Sequence, residues 1–310
     1  MRIVIAGGTG FLGSPLAEVY AEEGHDVRVL TRGLAAGESR HDPGTGVPGV
    51  TRVGWQPGGQ SGPWAAVLDG ADAVVNLAGE SIGDTRWTPT RKAALCESRL
   101  LPTRSLVAAI AGVATPPRVF VSGSGVGYYG TSESDVKTED SPAGRDFLAR
   151  LCEDWEGEAR GASSRTRVAT LRTGVVLERS GGALAKMLPP FRMFAGGPMG
   201  SGRQWMSWVH RIDWIEMVRW IIETPAVSGP VNVTAPEPVT NREFARALGH
   251  AMHRPALIPA PSIALKLLLG EMATPLILEG QRVLPTRAQQ LGFHFRYPDI
   301  NQAFRGIFGD

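Results

Sequence analysis

The sequence predicts an α/β protein, built on a doubly wound parallel sheet with a smaller C-terminal lobe. Three observations carry this expectation. The chain opens on an apolar run, Ile3, Val4, Ile5 and Ala6, of the kind a buried parallel strand requires. Gly7, Gly10 and Gly13 follow at three-residue spacing, ahead of Leu16, Ala17, Val19 and Tyr20 at helical spacing. Short apolar runs then alternate with helical patterns as far as Thr234.

The opening stretch is strand, glycine turn, helix, and a second strand at Asp26 to Leu30 completes a βαβ unit. In such a unit the first glycine lets the chain leave the strand sharply, the second lets backbone approach a pyrophosphate, and the third lets helix and sheet pack closely. Unpaired amides at the helix start then face the anion. Gly7, Thr9, Gly10, Phe11, Leu12 and Gly13 are therefore the expected dinucleotide contacts. This is the signature of a Rossmann fold.

The second strand ends in Thr31 and Arg32, with no acid there to hold a ribose 2′-hydroxyl. A cation suits a 2′-phosphate, and Thr31 adds a hydroxyl. NADP(H) is thus favoured as cofactor, with NAD(H) possible. From Gly33 to Gly62 the chain is rich in Gly, Pro and Ser, with a short strand expected at Thr51 to Trp55. A short helix is expected at Trp64 to Leu68 and a buried strand at Ala71 to Leu77. Strand carboxyl ends line the ligand crevice of such sheets, so Leu77, Ala78 and Gly79 are expected beside the adenosine half of the cofactor.

Arg91 to Ile110 carries a long helical pattern in which Pro102 implies a kink or break. The next strand, Arg118 to Val121, runs into Ser122 to Gly130, SGSGVGYYG, a site-like collection of small residues, hydroxyls and tyrosines. A helix is expected over Gly144 to Arg160 and a strand over Val168 to Leu171. Helical periodicity returns past Trp205, Val231 to Thr234 forms the last strand, and the tail holds helices interrupted by prolines. The expected division is a dinucleotide-binding domain over 1–173, with a return segment 213–234, and a substrate lobe from 174–212 and 235–310.

Composition narrows the partners. With 310 residues, 43% hydrophobic content and a formal charge of only +2, the chain resembles an ordinary globular protein, and no basic stripe points to nucleic acid. The N-terminus enters the first strand directly and no apolar run is long enough to span a bilayer, so a cytoplasmic protein without a membrane partner is expected. Cys96 and Cys152 have no metal-type spacing, and no metal is expected. The expected partner is a small-molecule substrate; the sequence leaves the oligomeric state open.

With these landmarks placed, the chain resembles the extended short-chain dehydrogenase/reductase superfamily, from GGTGFLG through SGSGVGYYG to WVHRID. More narrowly it is similar to an epimerase-like branch once linked by name to the cell-division inhibitor SulA. NLAGESIGDTRWTP, LRTGVVLERSGGALAKMLPPF, GGPMGSGRQWMSWVH and the tail through QRVLP to GFHFRYP carry that closer match.

The superfamily resemblance implies a catalytic hydroxyl, matched by Ser124 or else Ser122, and a Tyr-x-x-x-Lys pair in the following helix. Phe147 and Leu151 stand at those two positions. A phenyl ring cannot exchange a proton and a leucine cannot stabilise a tyrosinate. Tyr128 or Tyr129, with Lys186 or His210 from the substrate side, are the alternative proton carriers. Arg99 falls where the superfamily often places an Asn near the cofactor, and could reach a phosphate; Ser122 also belongs to the expected cofactor wall. Met206 replaces the Arg that clamps a diphosphate in sugar-nucleotide members, with Arg203 nearby, and Trp205 and Trp208 point to a more apolar pocket or to lobe core. His210 and Asp213 match a segment read as structural, and Arg172 as a buried ion pair. The expectation is an atypical NADP(H)-dependent oxidoreductase or epimerase-like protein, against a non-catalytic NADP(H)-binding regulator.

Overall fold

The computed structural model describes residues 1–41 and 49–309. In chain order it holds β1 (Arg2–Ala6), α1 (Gly13–Glu22), β2 (Asp26–Thr31), β3 (Ser39–His41), β4 (Val50–Gly54) and β5 (Ala73–Asn76). Next come α2 (Pro89–Gly112), β6 (Val119–Gly125), β7 (Val136–Lys137), α3 (Phe147–Arg160), β8 (Arg167–Thr173), β9 (Val175–Leu177) and α4 (Gly182–Arg192). Then follow β10 (Trp205–Met206), β11 (Trp208–His210), α5 (Arg211–Glu223), β12 (Gly229–Val233), β13 (Val239–Thr240) and α6 (Asn241–Ala251). The tail adds α7 (Ser262–Leu269), β14 (Arg282–Val283), α8 (Thr286–Gln290) and α9 (Ile300–Phe308).

The main sheet has the order β12-β8-β6-β5-β1-β2-β4-β3, parallel except for β3 at its edge. It is a Rossmann-type sheet whose order reverses between β1 and β5, which opens a crevice at their carboxyl ends. Alternation along the strands sends Ile3, Ile5, Val121 and Leu171 to one face, against α1 and α5, where Trp214 and Val218 are fully buried. Val4, Val74 and Phe120 face the other way, against Leu106 and Ile110 of α2 and Ala159 of α3. A third core, around Leu184, Phe191, Trp208, Phe244 and Phe304, joins α4, α6 and α9 beside the sheet. Each fully buried large side chain there contributes roughly 1.5–3 kcal/mol.

Three local expectations change. The helix containing Pro102 runs unbroken from Pro89 to Gly112; its Thr103 hydroxyl donates to the Arg99 carbonyl at 2.7 Å, adding a bond next to the one the proline removes. The expected helix at Trp64 is a 3-10 turn over Pro63–Leu68. The strand expected to stop at Val121 continues to Gly125, so Ser122 and Ser124 lie within β6, on the face that also carries Phe120. Part of the Gly/Pro/Ser-rich stretch after Gly33, residues 42–48, lies outside the described residues.

Candidate functional site: a glycine-floored cleft and a buried arginine network

The glycine turn is built as its spacing demands. Gly7 is left-handed, at φ +80°, and a Cβ there would lie 2.7 Å from the Leu77 carbonyl carbon. A Cβ on Gly13 would lie 2.2 Å from the Gly7 oxygen, so α1 starts tight against the end of β1. The Gly10 amide donates to the Gly7 carbonyl at 3.0 Å, and no side chain caps α1. The helix start therefore presents its positive end to a cleft rather than to a residue of its own.

That cleft has a volume of about 560 Å³. Gly7, Thr9 and Gly10 lie on one side of it, Thr31 and Arg32 at the end of β2, and Leu77, Ala78 and Gly79 after β5. Arg32 is exposed, and the Thr31 hydroxyl accepts the Gly33 amide at 3.3 Å. Trp55, Pro57, Leu101 and Pro102 supply an apolar wall that sequence reasoning missed, because these residues come from separate segments. Asn76, the first residue of the NLAG turn that the sequence places beside the adenosine half, shapes the rim: its Oδ1 accepts the Ala78 amide at 3.2 Å and its Nδ2 donates to Thr103 Oγ1 at 2.9 Å.

Phe11 and Leu12 turn their side chains elsewhere. The Phe11 ring packs on the Gly181–Gly182 turn, and Leu12 packs on the core under α1 and α5. Neither Arg99 nor Ser122 lines this cleft. The Arg99 guanidinium is buried behind Gly79, donating to the carbonyls of Glu80 (2.8 Å) and Leu95 (3.0 Å), with its carbon 5.3 Å from the Trp155 ring centroid. Burial lowers its pKa, and it props the rim rather than lining the cleft. Ser122 is completely buried, on the helix-covered face of β6, with no hydrogen-bond partner for its hydroxyl.

A second polar assembly crosses the carboxyl end of the sheet. Ser124, Arg172 and Asn232 stand side by side on β6, β8 and β12. Arg172 is clamped by Glu156 of α3, Nε to Oε1 at 2.8 Å and Nη2 to Oε2 at 2.9 Å, and both side chains are almost wholly buried. Burial opposes the arginine's charge, but the Glu156 carboxylate outweighs it, so its pKa is raised. The Ser124 hydroxyl donates to Glu156 Oε1 at 2.7 Å, and Tyr129 donates to Asn232 Oδ1 at 2.6 Å while accepting from Arg172 at 3.0 Å. Burial pushes the Tyr129 phenol up to about 12.

The Ser124 and Tyr129 hydroxyls, expected to face a substrate, are engaged by Glu156 and Asn232 in the sheet–helix layer; for Ser124 this follows from its place within β6, which runs on to Gly125. Tyr128 differs: it is half-buried, and the Arg172 guanidinium lies 3.4 Å from its ring centroid. Phe147 sits edge-on to Trp87 at 5.1 Å, with the Lys92 ammonium 5.1 Å from its centroid, and Leu151 is buried. Lys186 is held at the surface by Asp84 at 2.6 Å. His210 is buried against Tyr297, ring centroids 3.9 Å apart, and its Nδ1 accepts the Ile212 amide at 3.1 Å. Asp213 accepts the Arg296 and Tyr297 amides at 2.8 and 2.9 Å, which fastens the tail to α5. Trp208 belongs to the lobe core, and Trp205 donates to the Glu133 carbonyl at 3.1 Å. Both cysteines are free, and among the described residues no cluster of metal-binding side chains occurs. No helix among them is long and apolar enough to cross a membrane.

Comparison with known proteins agrees with this architecture. Residues 3–234 match the model of the NAD dependent epimerase/dehydratase family, and 260–307 match a C-terminal domain of unknown function. The chain is 44% identical over 309 residues to a chloroplastic SDR39U1 homolog of Arabidopsis thaliana, covering 99% of this chain and 86% of that protein. It is 39% identical over 311 residues to the mouse epimerase family protein SDR39U1, covering 99% of each. The crystal structure of human SDR39U1 (isoform 2) with NADPH superposes with a TM-score of 0.89 at 37% identity, covering 100% of both chains. A UDP-glucuronic acid 4-epimerase from Bacillus cereus shares the fold, with a TM-score of 0.78 at 16% identity. The chain belongs to the NAD dependent epimerase/dehydratase family.

Proposed function

We propose that this member of the NAD dependent epimerase/dehydratase family binds NADP(H) and acts as an atypical oxidoreductase or epimerase-like enzyme on a small carbonyl or alcohol substrate. The observation that carries the cofactor choice is the end of β2, where Thr31 and the exposed Arg32 line the cleft. A guanidinium and a hydroxyl at that edge favour a 2′-phosphate over a bare 2′-hydroxyl. The residues fit a dinucleotide: Gly7 and Gly10 leave room where a Cβ would crowd the turn, and the uncapped start of α1 suits a pyrophosphate. The crystallised human relative, which was solved with NADPH, supports the same reading.

A bound nicotinamide would supply hydride donation or acceptance. Leu77, Ala78 and Gly79 would border the adenosine half of the cofactor, and Trp55, Pro57 and Leu101 would give that end of the cleft an apolar wall. Of the three expected catalytic hydroxyls, Tyr128 is the one we assign to proton handling, because Ser124 and Tyr129 are committed to Glu156 and Asn232. The test is calorimetric titration of NADPH and NADH into wild type and Arg32→Asp. A loss selective for NADPH is expected, about tenfold or more; equal affinities in wild type and variant overturn the reading.

A second reading rests on Phe147 and Leu151. With no phenol or ammonium at those positions, the chain would hold NADP(H) as a sensor without turning it over. A carbonyl screen for NADPH consumption separates the two. Turnover that Tyr128→Phe abolishes supports the enzyme with this proton carrier, turnover that survives it moves the assignment elsewhere, and NADPH binding without turnover across the screen favours the sensor.

A further inference from the structure

We propose that the face formed by the end of α4, the segment before α7 and α7 itself docks on an anionic lipid surface. The face is apolar and exposed: Met193, Phe194, Leu257, Ile263, Leu267 and Leu268 are each between 57% and 81% accessible. None of the residues of α7, SIALKLLL, is buried. The two chain segments meet directly. The Ile258 amide donates to the Gly196 carbonyl at 3.1 Å and the Ala260 amide to Pro198 at 2.9 Å, so Met193 and Phe194 come beside the approach to α7. Phe194 holds a left-handed backbone, φ 59°, with the Arg254 guanidinium 4.5 Å from its ring centroid.

Charge decides which occupant fits. Acidic residues number 30 in the whole chain, yet none occurs between Glu178 and Asp213, or between Glu243 and Glu271, the two stretches that build this face. The face itself carries Arg192 at the end of α4, Arg254 over Phe194 and Lys266 within α7 instead. Apolar side chains amid cations are the composition of a surface that lies on anionic headgroups, and Glu271, the acid just past the end of α7, is paired with Lys92 at 2.5 Å. A second copy fits poorly, since a two-fold contact would set these cations against their own equivalents without a counter-charge. α7 is too short to span a bilayer, so the contact is peripheral. Its inner side, through Leu269, packs with Met272, Trp87 and Phe147, so docking holds that part of the molecule next to the lipid.

The test is co-sedimentation of the full chain with vesicles of phosphatidylglycerol and phosphatidylcholine in equal parts, against vesicles of phosphatidylcholine alone. Binding to the mixed vesicles, reduced at high salt and at least about tenfold weaker in Leu267→Glu/Leu268→Glu and in Arg254→Gln/Lys266→Gln, is expected. Leu267, Leu268 and Lys266 are exposed and Arg254 is half-buried, so an unchanged melting temperature verifies folding; Met193→Ser/Leu257→Ser provides a second, milder pair. No sedimentation with the mixed vesicles at low salt overturns the proposal, as does equal binding to neutral vesicles. A wild-type dimer in sedimentation equilibrium that Leu267→Glu/Leu268→Glu converts to monomer also overturns it, and assigns the face to self-association.

Discussion

Glu156 and Arg172 form a bidentate pair, at 2.8 and 2.9 Å, in which neither side chain reaches solvent appreciably. The pair also anchors Ser124 and, through Arg172, Tyr129. Removing one partner strands the other charge in the layer between sheet and helix. Glu156→Ala is expected to destabilise the protein by about 3–5 kcal/mol, and Glu156→Leu/Arg172→Met by less than the single change. Urea denaturation of the single and double variants measures both; a single variant within about 1 kcal/mol of wild type would sink the account.

Leu151 stands where the superfamily pattern carries lysine, and its side chain is buried in the layer of α3. Leu151→Lys is therefore expected to cost at least about 3 kcal/mol rather than to install a catalytic cation. Thermal unfolding checks the cost. A stable Leu151→Lys variant that gains NADPH-dependent turnover would contradict it.

The approach of α1 to β1 makes Gly13 intolerant of any side chain, since its Cβ would meet the Gly7 oxygen at 2.2 Å. Gly13→Ala is expected to lower stability by about 1–3 kcal/mol and to weaken NADPH binding as the turn shifts. Denaturant midpoints and calorimetry read the two effects separately.

His210 is held near neutrality by burial, which pulls its pKa down to about 4 from an ordinary 6.5; Glu178 opposes this, while Arg211 and Arg296 add to it. Between those values the unfolded chain binds the proton and the folded one does not. Stability is then present above the unfolded value and falls as pH drops from about 6.5 to about 4, by up to about 3 kcal/mol. Asp213, whose carboxyl burial raises, works oppositely: its contribution is present below its unfolded value and fades as pH rises through its folded one. Urea midpoints at several pH values should show the slope in wild type. It should flatten in His210→Asn, which keeps a side-chain acceptor for the Ile212 amide; an unchanged slope would assign the acid sensitivity to other groups.

How much of this was legible in the sequence differs by element. Apolar runs and glycine spacing depend on neighbours close in the chain, so the βαβ opening, the Rossmann sheet and the candidate cleft residues Gly7, Thr9 and Gly10 could be read directly. The character of Thr31 and Arg32 was legible for the same reason. Only the tertiary structure decided what faces what. The extension of β6 to Gly125 puts the Ser124 side chain in the sheet–helix layer, against Glu156, and the packing of α2 puts Arg99 behind the rim instead of in the cleft. The match of Arg172 to Glu156 joins a strand to a helix, and the assembly of Trp55, Leu101 and Pro102 into one wall joins separate segments. Local periodicity fixes which residues can be strand or helix; the direction of a side chain, and the partner that consumes its hydrogen bond, arise only when distant segments pack.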